Sequence, residues 1–280
     1  MQIHAIRALC KRGAKISMDY VVFFVVSLAA SSIGGICGVG GGVVIKPLLD
    51  ATHLASIATI SFLSACTVLC MSTTTVIKNR KRENLLDYRT STALAVGAIL
   101  GGVLGKWLFN ELNSIIGGGI LGGAQSILLL VVLAVTLFYS FAKARIRTNH
   151  LKNVLIILVS GTFLGGISAF LGIGGGPIEL MALSFLFSMD SKKAAANSLY
   201  IIMFSQIAAL LQTILTGEIP AFSPGVLICM GIAGIVGGIV GSAINKKISS
   251  KYIEILYRGL LVVVIGICAV NIIQYLGVVG

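Results

Sequence analysis

Acidic side chains are scarce in this chain. Nine Asp and Glu stand against 21 Lys and Arg in 280 residues, and charged residues of both signs make up 11%, where a water-soluble domain carries about 25%. Hydrophobic residues reach 57% and the mean hydropathy is +1.03, so water is not the main solvent. The cysteines Cys10, Cys37, Cys66, Cys70, Cys229 and Cys268 show no metal-ligand spacing. All but Cys10 fall inside apolar stretches, where disulfide exchange has little access, and they read as reduced and structural. His-Glu-x-x-His, Gly-x-Gly-Asp and a serine–histidine pair at membrane depth are missing too, which removes the usual signatures of an intramembrane enzyme. No enzyme activity, metal or cofactor is expected.

What is present is apolar sequence in membrane-length pieces. A helical crossing needs about 20 apolar residues, and eight stretches qualify, at about 19–50, 54–77, 91–110, 115–141, 152–188, 193–215, 223–245 and 252–277. The fold class is therefore an all-α integral membrane protein of about eight transmembrane helices. The net charge of +12 would suggest nucleic acid in a soluble protein. Here the basic residues cluster between spans and read as topology signals instead. Arg7, Lys11, Arg12 and Lys15 precede the first span, Lys78, Arg80, Lys81, Arg82 and Arg89 follow the second, and Lys143, Arg145, Arg147 and Lys152 join two halves. Placing all three clusters in the cytoplasm gives the first half four crossings and a cytoplasmic N-terminus in the cell membrane. Four more crossings leave Lys246, Lys247 and Lys251 outside and Glu218 inside, against the usual bias. The first 30 residues resemble a signal peptide, with small residues at Ala29 to Ser32. Cleavage there would sever residues that have a counterpart in the second half, so an uncleaved first span is expected.

That counterpart is an internal repeat. Gly38-Val39-Gly40-Gly41-Gly42 lies over Gly172-Ile173-Gly174-Gly175-Gly176 at an offset of 134 residues (172 − 38). Ala55 to Thr59 then falls over Ala194 to Ser198, and Gly101-Gly102-Val103-Leu104-Gly105 over Gly237-Gly238-Ile239-Val240-Gly241. The order of landmarks is the same in both halves. The chain divides into an N-terminal segment 1–18, a first repeat 19–142, a basic linker 143–152 and a second repeat 153–280, each repeat of four helices. Repeated halves are a plan of secondary transporters, whose substrate site lies between the repeats near the bilayer midplane.

Each repeat opens with a helix that should break at its Gly-x-Gly-Gly-Gly run, because an interior glycine costs about 0.8–1 kcal/mol relative to alanine. Irregular backbone at membrane depth is tolerated only in protein or along a cavity, so the break implies a polar site. Pro177 suits the first position of a new helix. The free N–H groups there, with those of the loop, would form an anion receptor. Pro47 sits later in its repeat and leaves Lys46 beside the first loop. Close helix packing is the other reading of these glycines. It is the preferred one for Gly97, Gly101 and Gly105 and for Gly234, Gly238 and Gly241, which follow the small-xxx-small pattern. Neither loop continues to Gly-Lys-Ser/Thr, and Val43 and Pro177 stand where Gly-x-Gly-x-x-Gly needs its last glycine, so nucleotide binding is excluded.

Two polar stripes follow the loops. Thr59, Cys66 and Thr73 in one half and Ser198, Ser205 and Gln212 in the other are spaced by seven residues, close to two helical turns. They either line a substrate path or bond helix to helix. Thr59, Asn197 and Ser198, nearest the broken helices, are the stronger candidates for contact with substrate. Lys46 and Glu179 are the charges nearest the loops, and charge at membrane depth is a functional hypothesis by default. Lys46 could attract an anion or snorkel to the surface. Glu179 could exchange a proton, or the two could pair across the halves.

The run Gly38 to Gly42 with Pro47, and the run Gly172 to Pro177 followed by Lys192-Lys193-Ala194-Ala195-Ala196-Asn197-Ser198, resemble the paired motifs of the TauE/SafE sulfite exporters, also called the toluene sulfonate uptake permease family. The likeness spans about residues 20–278. It implies a membrane transporter for sulfite, sulfoacetate or another sulfur-containing or organic anion, exporting it on an ion gradient. The candidate binding residues, taken from the loops, the polar stripes and the buried charges, are Gly38, Gly40, Gly41, Gly42, Lys46, Thr59, Gly172, Gly174, Gly175, Gly176, Pro177, Glu179, Asn197 and Ser198. Two departures bear on the substrate: Lys46 stands where the family carries an apolar residue, and Asn197 replaces the threonine of a Thr-Ser pair. The partners expected are a small anion, the lipid bilayer and a coupling ion, proton or sodium, but not nucleic acid. Homo-oligomer formation stays open, as do uptake in place of export and a non-transporting accessory or sensor role.

Overall fold

A computed structural model describes residues 2–279 except 53, 81, 83, 84, 117, 144, 147, 150 and 152, with side chains described for 19–273 apart from those residues and 118–119. Lys81, Arg147 and Lys152, and the side chains of Arg7, Cys10, Lys11, Arg12 and Lys15, lie outside the described residues. The first half contains α1 (Gln2–Cys37), α2 (Gly42–Asp50), α3 (Ile57–Asn79), α4 (Tyr88–Ile116) and α5 (Gly118–Ala142). The second contains α6 (Val154–Leu171), α7 (Pro177–Phe187), α8 (Ser191–Leu215), α9 (Pro224–Lys247) and α10 (Ser250–Val279). Among the described residues eight helices, all but α2 and α7, are long and apolar enough to cross a membrane. The chain is an all-α, multi-span membrane protein. Large apolar side chains such as Leu104, Trp107, Phe138, Phe163 and Leu215 face outward, as lipid contact requires.

The helix starts are set locally. Ser56 Oγ accepts the Thr59 N–H, Asn153 Oδ1 that of Leu155 and Asp190 Oδ1 that of Lys193, each satisfying a donor the first turn leaves free. Pro177 and Pro224 open α7 and α9, where a missing N–H costs nothing.

Glycine determines which helices touch. Gly97, Gly101 and Gly105 of α4 rest on Leu158, Thr162 and Gly166 of α6, and a Cβ on Gly101 would fall 1.8 Å from the Thr162 carbonyl oxygen. Gly237 and Gly241 of α9 meet Ser31, Ser32 and Gly35 of α1, and Gly234 and Gly238 meet Thr67 and Met71 of α3. Backbones approach this closely only where side chains are absent.

These contacts also give each helix its direction. Tyr20 bonds Ser223 at the start of α9 and the Ile36 carbonyl accepts from Asn245 near its end, so α1 and α9 run parallel. Thr59 donates to the Ala221 carbonyl and Ser242 to Asn79, which sets α3 parallel to both. By the same reasoning α4, α6 and α8 run together, through Ser91 on Asn197 and Lys106 on Thr213 and the glycine contacts above. Val68 and Met71 of α3 cluster with Ile202 and Leu199 of α8, while Phe62 near the start of α3 and Leu210 near the end of α8 line one cavity. The two groups are therefore antiparallel.

Two expectations need correction. After Cys37 the chain reverses, so that Gly41 packs against Ser31 and α3 departs from the face where α1 began. The first half is a helical hairpin plus three crossings, not four crossings, and it ends on the opposite face. Helices at matching places in the two halves, α1 and α6 and likewise α3 and α8, run in opposite senses, where four crossings in each half would have made them parallel. The physical reason is the loop itself. Gly38 and Gly40 take φ of +80° and +61°, left-handed values that permit a reversal, whereas a hydropathy profile registers only an uninterrupted apolar run. As a result the N-terminal end of the bundle and the linker lie on opposite faces and cannot both be cytoplasmic.

Candidate functional site

The two glycine loops meet in the interior. A Cβ on Gly42 would lie 2.5 Å from the Ile173 carbonyl oxygen, and one on Gly176 2.0 Å from that of Val39. Gly172, Gly174, Gly175 and Gly176 all have positive φ. Gly38 lies against Ala195 and Gly40 against Val68 and Ile202, while Gly41 caps α2. The first loop, with Val39 and Gly38 to Gly42, is entirely buried.

The second loop borders open space. A cavity of about 480 Å³ runs in from the face of the chain ends, between the first turns of α3 and the last turns of α4 and α8, and reaches Gly172 and Gly174. Asn110, Glu218 and Pro220 stand toward its mouth, Lys106 lies on its wall, and Ser61, Gln125, Ser168 and Gln206 line the inner part. Phe62, Phe109 and Phe170 supply apolar surface. Lys106 donates to Thr213 Oγ1 and Asn110 to Glu218. These bonds tie α4 to α8 beside the opening.

Lys46 is 5% exposed. Its Nζ donates to Gln125 Oε1 at 3.1 Å and lies 3.5 Å from Asp50 Oδ2. It thus neither snorkels nor pairs with Glu179, and it does not line the cavity. Its charge sits behind the wall, next to Gly172. Glu179, 1% exposed, accepts from Ser198 Oγ at 3.1 Å through Oε2. Its Oε1 has no hydrogen-bond partner among the described residues and lies against Gly175. The carboxylate thus covers the N-terminal end of α7, where an incoming anion was expected. The Pro177 carbonyl accepts from Tyr257.

Thr59 and Asn197 face structural partners. Thr59 is bonded to Ser56 and to the Ala221 carbonyl. Asn197 Oδ1 accepts from the Asp87 N–H and Ser91 Oγ, and its Nδ2 donates to the carbonyls of Leu85 and Lys193. Three of these four bonds join α8 to the start of α4 and the turn before it at the linker face, and the fourth lies within α8.

Sequence reasoning missed Lys106, Ser168 and Gln206. A signal for one of them existed, since Gln206 and Thr213 form a seven-residue pair one position along from the Ser205 and Gln212 stripe. Gln212 itself reaches the Val103 carbonyl.

Helical hairpins that bring two irregular loops to the centre of a membrane bundle, with a water-sized path to one of them, are the architecture of solute passage. A family model described as the sulfite exporter TauE/SafE matches residues 23–268. The chain belongs to this family. The probable membrane transporter protein YunE of Bacillus subtilis is 28% identical over 279 residues, covering 88% of this chain and 96% of that relative. A probable membrane transporter protein of Haemophilus influenzae is 24% identical over 245 residues, covering 86% of this chain and 89% of its own length. No solved structure matches. TauE/SafE membership makes this chain a multi-pass membrane transporter, which is not an enzyme class.

Proposed function

We propose that this TauE/SafE family member is a secondary transporter that exports a small sulfur-containing or organic anion by alternating access around the meeting point of its two glycine loops. The observation that carries this reading is the cavity ending on Gly172 and Gly174, with the equivalent loop of the other half sealed at its back. Inverted repeats supply two such half-sites of opposite facing, so exchanging their conformations would close one face and open the other. Glu179 is the proton-exchanging group in this reading. It is a fully buried carboxyl with no cation within 4 Å among the described residues, a placement that favours reversible protonation over permanent charge.

Orientation follows from the basic residues. Lys78, Arg80, Arg82 and Arg89, Lys143 and Arg145, Lys192 and Lys193, and Lys246, Lys247 and Lys251 lie around the linker face, against the four of the N-terminal segment. The bias toward cytoplasmic Lys and Arg assigns the linker face to the cytoplasm and both chain ends to the outside. The open cavity is then the release side of an exporter. A reporter fused to the C-terminus should be active only in its extracellular form; cytoplasmic activity reverses the orientation. Proteoliposomes should move labelled sulfite or sulfoacetate, and accumulate it when a pH gradient is imposed. Glu179→Gln should retain exchange of anion for anion yet lose that accumulation. No flux across a panel of anions sinks the transporter reading.

A further inference from the structure

The inner part of the cavity holds more hydrogen-bonding capacity than the protein uses. Gln206 is 7% exposed and lines the cavity, yet its amide makes no hydrogen bond to any described residue. Ser168 Oγ, also buried and lining the cavity, has no partner either. The N–H groups of Gly174 and Gly175 meet no acceptor among the described residues, in contrast to those of Gly172 and Ile173, which bond Ala169 and Ser168. Leaving a buried polar group unmet is destabilising, and native interiors avoid it. Several such groups at the end of one cavity mark a place where an occupant completes the hydrogen bonding.

Local backbone geometry serves the same end. Gly174 has φ +73°, and a Cβ there would come within 2.8 Å of Gln206 Nε2. Glycine at this position is what allows the amide to lie against the loop. Ser61 Oγ sits on the other side, 3.2 Å from the Cβ position of Gly172. The set consists of amide, hydroxyl and main-chain N–H groups. Lys46, the nearest cation, is occupied by Asp50 and Gln125 behind the wall, and Lys106 lies about a helical turn or two nearer the mouth, at the level of Thr213.

We infer that Gln206, together with Ser168, Ser61 and the Gly174 N–H, forms a neutral-donor site for the oxyanion head of the transported solute, with Gln206 as its selecting residue. The inference rests on the anion-transporter reading and gives it a binding group. Neutral donors suit transport: they orient a sulfo or carboxylate oxygen without the permanent countercharge that would hold the ion through the cycle. They also predict that affinity depends on an amide and not on Lys46.

The test uses the full-length protein in proteoliposomes and in detergent, with sulfite and sulfoacetate as probes. Gln206→Leu, close in volume and lacking the amide, should raise the KM for flux tenfold or more. Gln206→Glu, which sets a carboxylate against the oxyanion, should raise it further, while Gln206→Asn should retain part of the affinity. Thermal unfolding without ligand shows whether each variant is folded, and the ligand-induced rise in Tm gives an affinity independent of flux. Unaltered KM and unaltered ligand-induced stabilisation in folded Gln206→Leu overturn the inference while leaving the transporter reading in place. If the wild-type protein moves neither probe and neither raises its Tm, both fail. Stabilisation of wild type but not of Gln206→Leu supports the site even where flux is too slow to measure.

Discussion

The two glycine loops carry the same Gly-x-Gly-Gly-Gly motif and lie in different surroundings. The first, Gly38 to Gly42, is sealed by Ala195, Ile202 and the backbone of α1, while the second ends a cavity and carries unused donors. The charges around them differ as well. Lys46 has Asp50 and Gln125, whereas Glu179 has Ser198 and one bare oxygen. At the position matching Glu179 the first half has Ile45, and at the position matching Lys46 the second half has Leu180, so neither charge-bearing arrangement is reproduced in the other half. What the loops share is the steric requirement for glycine; what separates them is access to water.

The severest way to break the comparison is to add a methyl group to each loop. Gly38→Ala would place its Cβ 2.2 Å from Ala195 Cα, and Gly176→Ala would place it 2.0 Å from the Val39 carbonyl oxygen, both at positive φ. The left-handed conformation alone costs about 1–2 kcal/mol for a non-glycine residue, and the collisions are with backbone that has nowhere to move. Both variants should fail to yield monodisperse protein in detergent. If only one loop proves intolerant, the shared steric requirement is wrong.

Next in size is the ion pair found in one half alone. Lys46→Met removes the ammonium that contacts buried Asp50 and Gln125, and breaking a buried pair from one side costs about 3–5 kcal/mol. The Tm should fall by several degrees and recover in Lys46→Met/Asp50→Asn, with anion affinity little changed in the double variant. A loss of affinity that the second substitution does not repair would return Lys46 to the substrate.

The two residues after the loops should separate as well. Asn197→Ala leaves the Leu85 carbonyl and the Asp87 N–H without their partner, while the Lys193 carbonyl keeps its helical N–H, and should cost about 3 kcal/mol, at about 1–3 kcal/mol for each unmet group. Thr59→Val removes the hydroxyl's contacts with Ser56 Oγ and the Ala221 carbonyl but keeps the capping N–H, a loss of about 1 kcal/mol. Chemical denaturation in mixed micelles would rank them. Equal losses would mean that the α8 to α4 contact at the linker face carries no more than its counterpart.

Much of this was legible in sequence, and the remainder was hidden for reasons that can be named. Composition declared a membrane protein, and the spacing of Gly97, Gly101 and Gly105 declared close helix contact, because both are local properties of one segment. The sense of the repeat was not legible. An offset aligns residues by order, and inverted halves have the same order as parallel ones; only contacts such as Thr59 on Ala221 distinguish them. Asn197 and Lys46 drew attention as polar residues at depth, a property that structural latches and binding groups share. Gln206 went unnoticed because its distinction is the absence of a partner, which no one-dimensional pattern contains.

The smallest expected effect concerns the entrance. Lys106 stands on the wall of the open cavity beside Thr213, with Glu218 held by Asn110 farther out, and the loop of the other half is buried. A half-exposed cation at a narrow opening raises the local concentration of anions without holding them, and its influence is screened over about 8–10 Å at physiological salt. Lys106→Gln should therefore raise the KM for anion flux only about threefold to tenfold at low ionic strength, and hardly at all in about 0.5 M salt, where the screening length is a few ångströms. A penalty that persists undiminished at high salt would mean that Lys106 contacts the bound anion directly. The binding site would then extend from the loop to the mouth, and the second half-site would be cationic where the first is sealed and neutral.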